Sequence, residues 1–292
     1  MRSKWVDIDG AVHYMDWGGE GRPMVLVHGL GGSYVEWMLM APRLAGHFRV
    51  VAPDLIGFGR TPVKRRHATI DDNQAMLDTF LRKVVREPVV LVGHSMGGLI
   101  AMLQAGRGAD MVSDLVLIDP AVPPAAREVT PVIPQPILRF FEQNRMLGNL
   151  AGLLAARLMS PRGLVESALR RAVVDFEALD SGLVDGLVAI EEERIRAGLP
   201  YVGWTEARTS MGKYYRSVRA FDRDVVDAIA APTLLIYGDH DPIVQRGAIR
   251  RMGKRRPGWF VHILDNVGHD PNFEVPERVD DLLLEHLAVA AA

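Results

Sequence analysis

The chain contains no cysteine among its 292 residues. That removes disulfides, thiolate nucleophiles and zinc–thiolate sites from consideration. It also lacks an excess of either charge: the formal net charge is -2, so no global field recruits nucleic acid. Two basic clusters do occur, Lys64-Arg65-Arg66-His67 and Arg250-Arg251 with Lys254-Arg255-Arg256. Neither is interleaved with aromatics, and both read as solvated loop and helix surface. No uncharged apolar run approaches the roughly 18 residues of a membrane span. The stretch 147–159 comes nearest, and Asn149 and Arg157 break it. Asp7 and Asp9 interrupt the first residues too early for a signal-peptide apolar region. No His-Glu-x-x-His helix or Asp-rich calcium loop is present. The expectation is a cytoplasmic protein with no cofactor, no metal, no nucleic-acid partner and no stable membrane insertion, working as a monomer or homodimer.

What is present is more telling. The run Val89-Val90-Leu91-Val92-Gly93-His94-Ser95-Met96-Gly97-Gly98 joins a β-branched apolar strand directly to the helical Leu99–Leu103. A serine on such a turn is held in a strained backbone with its Oγ pushed out of the sheet, and small neighbours let adjacent backbone pass. A surface serine needs none of this. A phosphate-binding turn is the bland alternative, but neither Gly-x-Gly-x-x-Gly nor Gly-Lys-Ser/Thr occurs there. Ser95 is expected to be a nucleophile.

The rest of the chain alternates. Strands are expected at 4–8, 11–17, 24–28, 48–53, 88–93, 115–118, 233–237 and 259–264, and helices at 34–44, 70–85, 95–106, 244–252 and 276–287. A length of 292 residues is ample for one such core plus an inserted subdomain. Strands alternating with helices imply an α/β fold with a mostly parallel central sheet flanked by helices. The alternation breaks at Pro120, Pro123, Pro124, Pro131, Pro134 and Pro136, and a helical pattern runs from there to about Arg219. The reading is therefore a core of residues 1–120 and 223–292, with residues 121–222 as a helical cap. Ligands of such sheets bind beyond the carboxyl ends of the strands.

The polar motifs fall at those ends. An acyl-transfer nucleophile needs donors for its oxyanion, and a glycine-rich turn supplies backbone N–H groups. His28-Gly29-Leu30-Gly31-Gly32 is such a turn. The amides of Leu30 and Met96 are the expected donors. A serine hydroxyl also needs a base. Of the nine histidines, His269 follows the last strand in Asn266-Val267-Gly268-His269-Asp270-Pro271. His94 adjoins Ser95 and should point away from it; His28 should brace the oxyanion turn; His240 is a weaker rival. The imidazole in turn needs a carboxylate. Asp241 lies in Gly238-Asp239-His240-Asp241-Pro242, with Asp119 and then Asp239 as rivals. Asp54 is expected to order a loop through hydrogen bonds.

With these motifs in place the chain resembles the α/β-hydrolase fold superfamily, in its capped serine-hydrolase branch. The resemblance rests on His28-Gly29-Leu30-Gly31-Gly32, Asp54-x-x-Gly57-x-Gly59, Gly93-His94-Ser95-Met96-Gly97-Gly98, Gly238-Asp239-His240-Asp241-Pro242-Ile243-Val244 and Gly268-His269-x-Pro271-x-x-Glu274-x-Pro276-Glu277. It implies Ser95 as nucleophile, His269 as base, Asp241 as acid and the Leu30 and Met96 amides as the oxyanion hole. Haloalkane dehalogenases and epoxide hydrolases of this fold carry aspartate at the elbow, and dienelactone hydrolases cysteine; Ser95 sets this chain apart from both. Serine members include carboxylesterases, lipases, thioesterases and carbon–carbon bond hydrolases, and shared catalytic parts do not separate them. The apolar residues of the insertion, among them Phe140, Phe141, Met146 and Met159, then Tyr201, Trp204, Met211, Tyr214 and Tyr215, suggest a pocket for small to medium apolar acyl esters. The competing expectations are a carbon–carbon bond hydrolase or lactonase, and a non-enzymatic receptor for a hydrophobic ligand.

Overall fold

Eight strands form one sheet in the order β1-β2-β4-β3-β5-β6-β7-β8 in this computed structural model, which describes residues 1–124, 160–198 and 202–290. β1 (Arg2–Asp7) and β2 (Ala11–Gly18) make an antiparallel hairpin over Asp9-Gly10. β2 pairs antiparallel with β4 (Arg49–Pro53). From there β3 (Pro23–Val27), β5 (Val89–His94), β6 (Val112–Ile118), β7 (Thr233–Gly238) and β8 (Phe260–Leu264) are all parallel. β3 lies between β4 and β5, so the winding reverses there and leaves a crevice at the carboxyl ends of β3 and β5.

The strands are apolar on both sides because both faces are covered. Val25, Val27, Leu91, Leu115 and Leu235 face one cluster; Met24, Leu26, Val90, Val92, Val116 and Leu234 face the other. Two helices, α2 (Ile70–Phe80) and α3 (Ser95–Arg107), pack on the first face through Leu77, Phe80, Leu99 and Leu103. Thr69 caps the start of α2, accepting the Asp72 N–H at 3.1 Å, a contact worth about 1 kcal/mol. On the second face the helix Pro276–Ala290 buries Val279, Leu283 and Leu287, a four-residue spacing that keeps one stripe inward. β8 is an edge strand with Phe260 exposed.

Between β6 and β7 the described residues are helical: Pro161–Ala172, Ser181–Arg196 and Val202–Tyr215, then the short Val218–Phe221. The first-half insertion residues, including Phe140, Phe141, Met146 and Met159, and also Tyr201, lie outside the described residues. Helix Val202–Tyr215 docks on α2: Ser210 Oγ accepts the Ile70 N–H, and Tyr214 donates to Asp71. Its start sits against the loop after β4, where a Cβ on Gly203 would come 2.6 Å from the Gly57 carbonyl oxygen. No helix among the described residues is long and apolar enough to cross a membrane.

Two expected helices differ. The segment 34–44 is a 3-10 turn, Tyr34–Trp37, followed by a separate short helix, Ala41–Leu44, with Pro42 in its first turn. Proline lacks the N–H that would continue the preceding turn. The segment 70–85 is α-helical only to Phe80; Leu81–Val85 widens into a π turn closed by Arg86 at φ 67°.

Candidate active site

Ser95 stands between the last residue of β5 and the first turn of α3. Its φ is 50°, a left-handed backbone that costs a residue with a β-carbon about 1–2 kcal/mol. Strain of this kind is retained where the surrounding packing imposes it. Here the packing is visible: a Cβ on Gly97 would lie 2.2 Å from the Val27 carbonyl oxygen, so α3 rests directly on the backbone of β3.

The loops after β7 and β8 bring two side chains to this serine. His269 Nε2 is 2.8 Å from Ser95 Oγ, and His269 Nδ1 is 2.8 Å from Asp241 Oδ2. Asp241 Oδ1 accepts the amides of Ile243 and Val244 at 2.6 and 2.9 Å, which fixes its direction. Burial works against the Asp241 charge, but the hydrogen bond and charge of His269, with those two amides, outweigh it and hold the carboxyl below its ordinary value.

The rival residues take other places. Asp119, fully buried at the end of β6 with φ 40°, accepts the Gly238 amide and hydrogen-bonds Asp241. Burial, then the adjacent Asp241 charge, pushes its pKa well up. Burial and the neighbouring Asp241 charge both disfavour an anion at Asp119, and it is Asp241 that meets His269 Nδ1. Asp119, Asp241 and His269 come within 4.8 Å of one another. Both ring nitrogens of His269 are engaged, however, so the group is a hydrogen-bond relay in form. Asp239 shapes its turn, accepting from Asn266 N and holding the exposed His240 ring at 2.6 Å. Asp54 accepts from Tyr34 N and Arg60 N, each at 2.8 Å, and pairs with His13.

The Gly29–Gly32 turn is held from both sides. His28 Nε2 accepts the Leu55 N–H, which leaves Nδ1–H to donate to the Gly29 carbonyl at 2.8 Å. Glu36, absent from the sequence reading, accepts the Gly29 amide on both oxygens at 3.0 and 2.9 Å. The Leu30 amide meets no backbone acceptor among the described residues. The Met96 amide is in the first turn of α3 and has no intrahelical acceptor. Both residues line one cavity with Ser95 and His269.

Glu36 also meets His94. That imidazole turns away from Ser95, with Nδ1 3.1 Å from Glu36 Oε2 and Nε2 2.9 Å from the His269 carbonyl oxygen. Burial lowers its pKa, but the Glu36 hydrogen bond and charge, helped by Asp270 and the carbonyl, outweigh burial and push it up to about 9. An acid four residues beyond the glycine turn, in an otherwise apolar stretch, was the available signal for Glu36.

The cavity has a volume of about 720 Å³, within the range of small-molecule sites. Leu30, Val165, Leu169, Leu187, Met211 and Phe273 give it apolar walls. Of the expected pocket residues, Met211 and Tyr215 line it, whereas Tyr214 faces α2 and Trp204 packs beside Gly31.

A nucleophile elbow, a histidine on the loop after the last strand and a mostly parallel sheet define a hydrolase class of protein. The sequence profile of the alpha/beta hydrolase family matches residues 24–282, and the chain belongs to that family. It is 26% identical over 286 residues to epoxide hydrolase 3 of Xenopus tropicalis, covering 94% of this chain and 74% of that one. It is 27% identical over 260 residues to 2-hydroxy-6-oxo-2,4-heptadienoate hydrolase of Pseudomonas putida, covering 86% and 83%. Among solved structures, a membrane phospholipase A superposes with a TM-score of 0.73 at 25% identity, covering 98% of this chain and 86% of that one.

Proposed function

We propose that this alpha/beta hydrolase is a serine carboxylic-ester hydrolase acting on esters with small to medium apolar acyl groups. The observation that carries the proposal is the imidazole of His269 held at 2.8 Å from both Ser95 Oγ and Asp241 Oδ2. The Asp241 carboxylate can only accept a hydrogen bond, so Nδ1–H donates to it, and Nε2 is left to accept from the serine hydroxyl. That is the tautomer a general base requires.

Ser95 Oγ attacks the ester carbonyl as Nε2 takes its proton. The amides of Leu30 and Met96 receive the oxyanion in a position fixed before substrate arrives. His269, now an imidazolium paired with Asp241, passes the proton to the leaving alcohol. Water enters, loses a proton to Nε2, attacks the acyl-serine and releases the acid, which restores Ser95. In this reading the described helices between β6 and β7 belong to a cap on a core of 1–120 and 223–292, and the apolar walls of the cavity hold the acyl chain. The activity named for epoxide hydrolase 3 is not carried over, because position 95 is serine.

The test is a series of 4-nitrophenyl esters from acetate to octanoate, with wild type and Ser95→Ala. Turnover by wild type that the variant loses supports the proposal. The second reading is a carbon–carbon bond hydrolase, favoured by the 27% identity to the heptadienoate hydrolase. Its mark is negligible turnover of the esters beside fast cleavage of a vinylogous diketone. Saturable binding of a hydrophobic ligand with no turnover of either substrate marks a receptor.

A further inference from the structure

One wall of the cavity is a single face of the helix Val202–Tyr215. Arg208, Met211, Gly212 and Tyr215 line it, at the three- and four-residue spacings that keep residues on one side of a helix. Met211, Gly212 and Tyr215 are uncharged. Arg208 lines the same cavity among mostly apolar neighbours, with Glu36, Glu191 and Asp270 also on its lining.

Among the described residues the guanidinium meets an aromatic ring and no hydrogen-bond acceptor. It lies 5.0 Å from the centre of the Trp204 ring, one turn earlier on the same helix. Trp204 in turn packs beside the oxyanion turn, its Cδ1 3.7 Å from where a Cβ on Gly31 would stand. A cation over an indole face keeps all its N–H groups available for another partner.

No carboxylate among the described residues takes that role. The acids that line the cavity are engaged elsewhere. Glu36 accepts the Gly29 amide and meets His94, and Asp270 Oδ1 lies 3.4 Å from His94 Nε2. Glu191, which also lines the cavity, pairs with Arg194 at 3.6 Å. Arg194 further donates to the Gly59 carbonyl oxygen. Arg208 is half-buried. A partly desolvated guanidinium is costly unless it meets an anion, and its planar fork matches a carboxylate.

We propose that Arg208 is an anion-recognition subsite, and that the physiological ester carries a carboxylate on the part that lies beneath this helix. The inference deepens the ester-hydrolase reading and rests on it for the site, but not for the charge. An apolar chain with an ionised end fits both the apolar walls and the cation.

The test compares two substrates that differ in that end alone: the 4-nitrophenyl monoester of adipic acid and 4-nitrophenyl hexanoate. Wild type should favour the adipate ester in kcat/KM. Arg208→Gln should lower the adipate-to-hexanoate ratio by about 10–100-fold, the scale of a hydrogen bond to a charged group. Arg208→Lys, which keeps the charge and loses the fork, should fall between them. A second arm needs no turnover. In a Ser95→Ala background, calorimetric titration with monomethyl adipate should show binding that Arg208→Gln weakens by a similar factor, with thermal unfolding checking that both proteins are folded. Equal binding by the two folded proteins, or an unchanged substrate ratio, overturns the subsite. If wild type cleaves neither ester, the hydrolase reading fails while the titration still decides the role of Arg208.

Discussion

His94 Nε2 donates to the main-chain carbonyl oxygen of His269 at 2.9 Å, across 175 residues of sequence. His94 immediately precedes Ser95, so the strand that leads to Ser95 also grips the loop that carries His269. The other nitrogen of the same ring meets Glu36, which holds the Gly29 amide. One buried imidazole thereby ties together the loops that follow β3, β5 and β8. Ser95, His269 and the Gly29–Gly32 turn are set relative to one another by this contact as well as by the bond between Ser95 and His269.

This arrangement makes stability depend on pH in a stated direction. His94 in the folded chain is pushed up to about 9, against 6.5 for an ordinary imidazole. Its contribution is therefore complete below pH 6.5 or so and fades as pH rises toward about 9. A gap of this size corresponds to about 3 kcal/mol. Calorimetric unfolding should show wild type losing stability across that window. His94→Gln should begin less stable at pH 6 and show a flatter profile.

Ser95→Ala should lower ester turnover by on the order of 10³-fold or more, since the remaining parts contribute binding and oxyanion stabilisation without a nucleophile. Steady-state assays beside far-ultraviolet circular dichroism separate this loss from unfolding.

Asp119 and Asp241 are distinguished by a paired substitution. Asp119 accepts Gly238 N and lies against Asp241. Asparagine keeps the acceptor and offers a donor toward Asp241, so Asp119→Asn should keep turnover within a few-fold of wild type. Were Asp119 the residue that orients His269, the same change would cost about 10⁴-fold. Asp119→Ala strands a buried amide and should destabilise the protein by roughly 1–3 kcal/mol, read from denaturant unfolding.

Gly203→Ala should loosen the helix Val202–Tyr215 from the core. Its new Cβ would meet the Gly57 carbonyl oxygen at 2.6 Å, a contact with backbone that no rotamer relieves. A loss of about 1–3 kcal/mol is expected. Hydrogen exchange should show the added opening within residues 202–215.

The sheet was legible because each central strand is an apolar run ending at a glycine or a polar residue, the signature of a strand covered on both faces. Ser95 was legible because Gly93, Gly97 and Gly98 surround it on a strand-to-helix turn. The sequence order left Asp119 and Asp241 as competing acids, since both follow parallel strands. The structure separates them by direction: the amides of Ile243 and Val244 aim Asp241 at His269. Glu36 was not legible because its partners come from seven residues before it and 58 after it. A helical pattern running to about Arg219 was legible, but not the helix Val202–Tyr215 within it nor the face that meets the cavity, which depends on how Gly203 seats against Gly57.

The central claim is that His269 activates Ser95. Its most direct measurement is reaction with a fluorophosphonate, followed by peptide mapping, in wild type and His269→Ala. Stoichiometric modification of Ser95 in the wild type, and little or none in the variant, is the expected result. Folded wild-type protein that stays unmodified, or a His269→Ala variant that reacts at the wild-type rate, would contradict it.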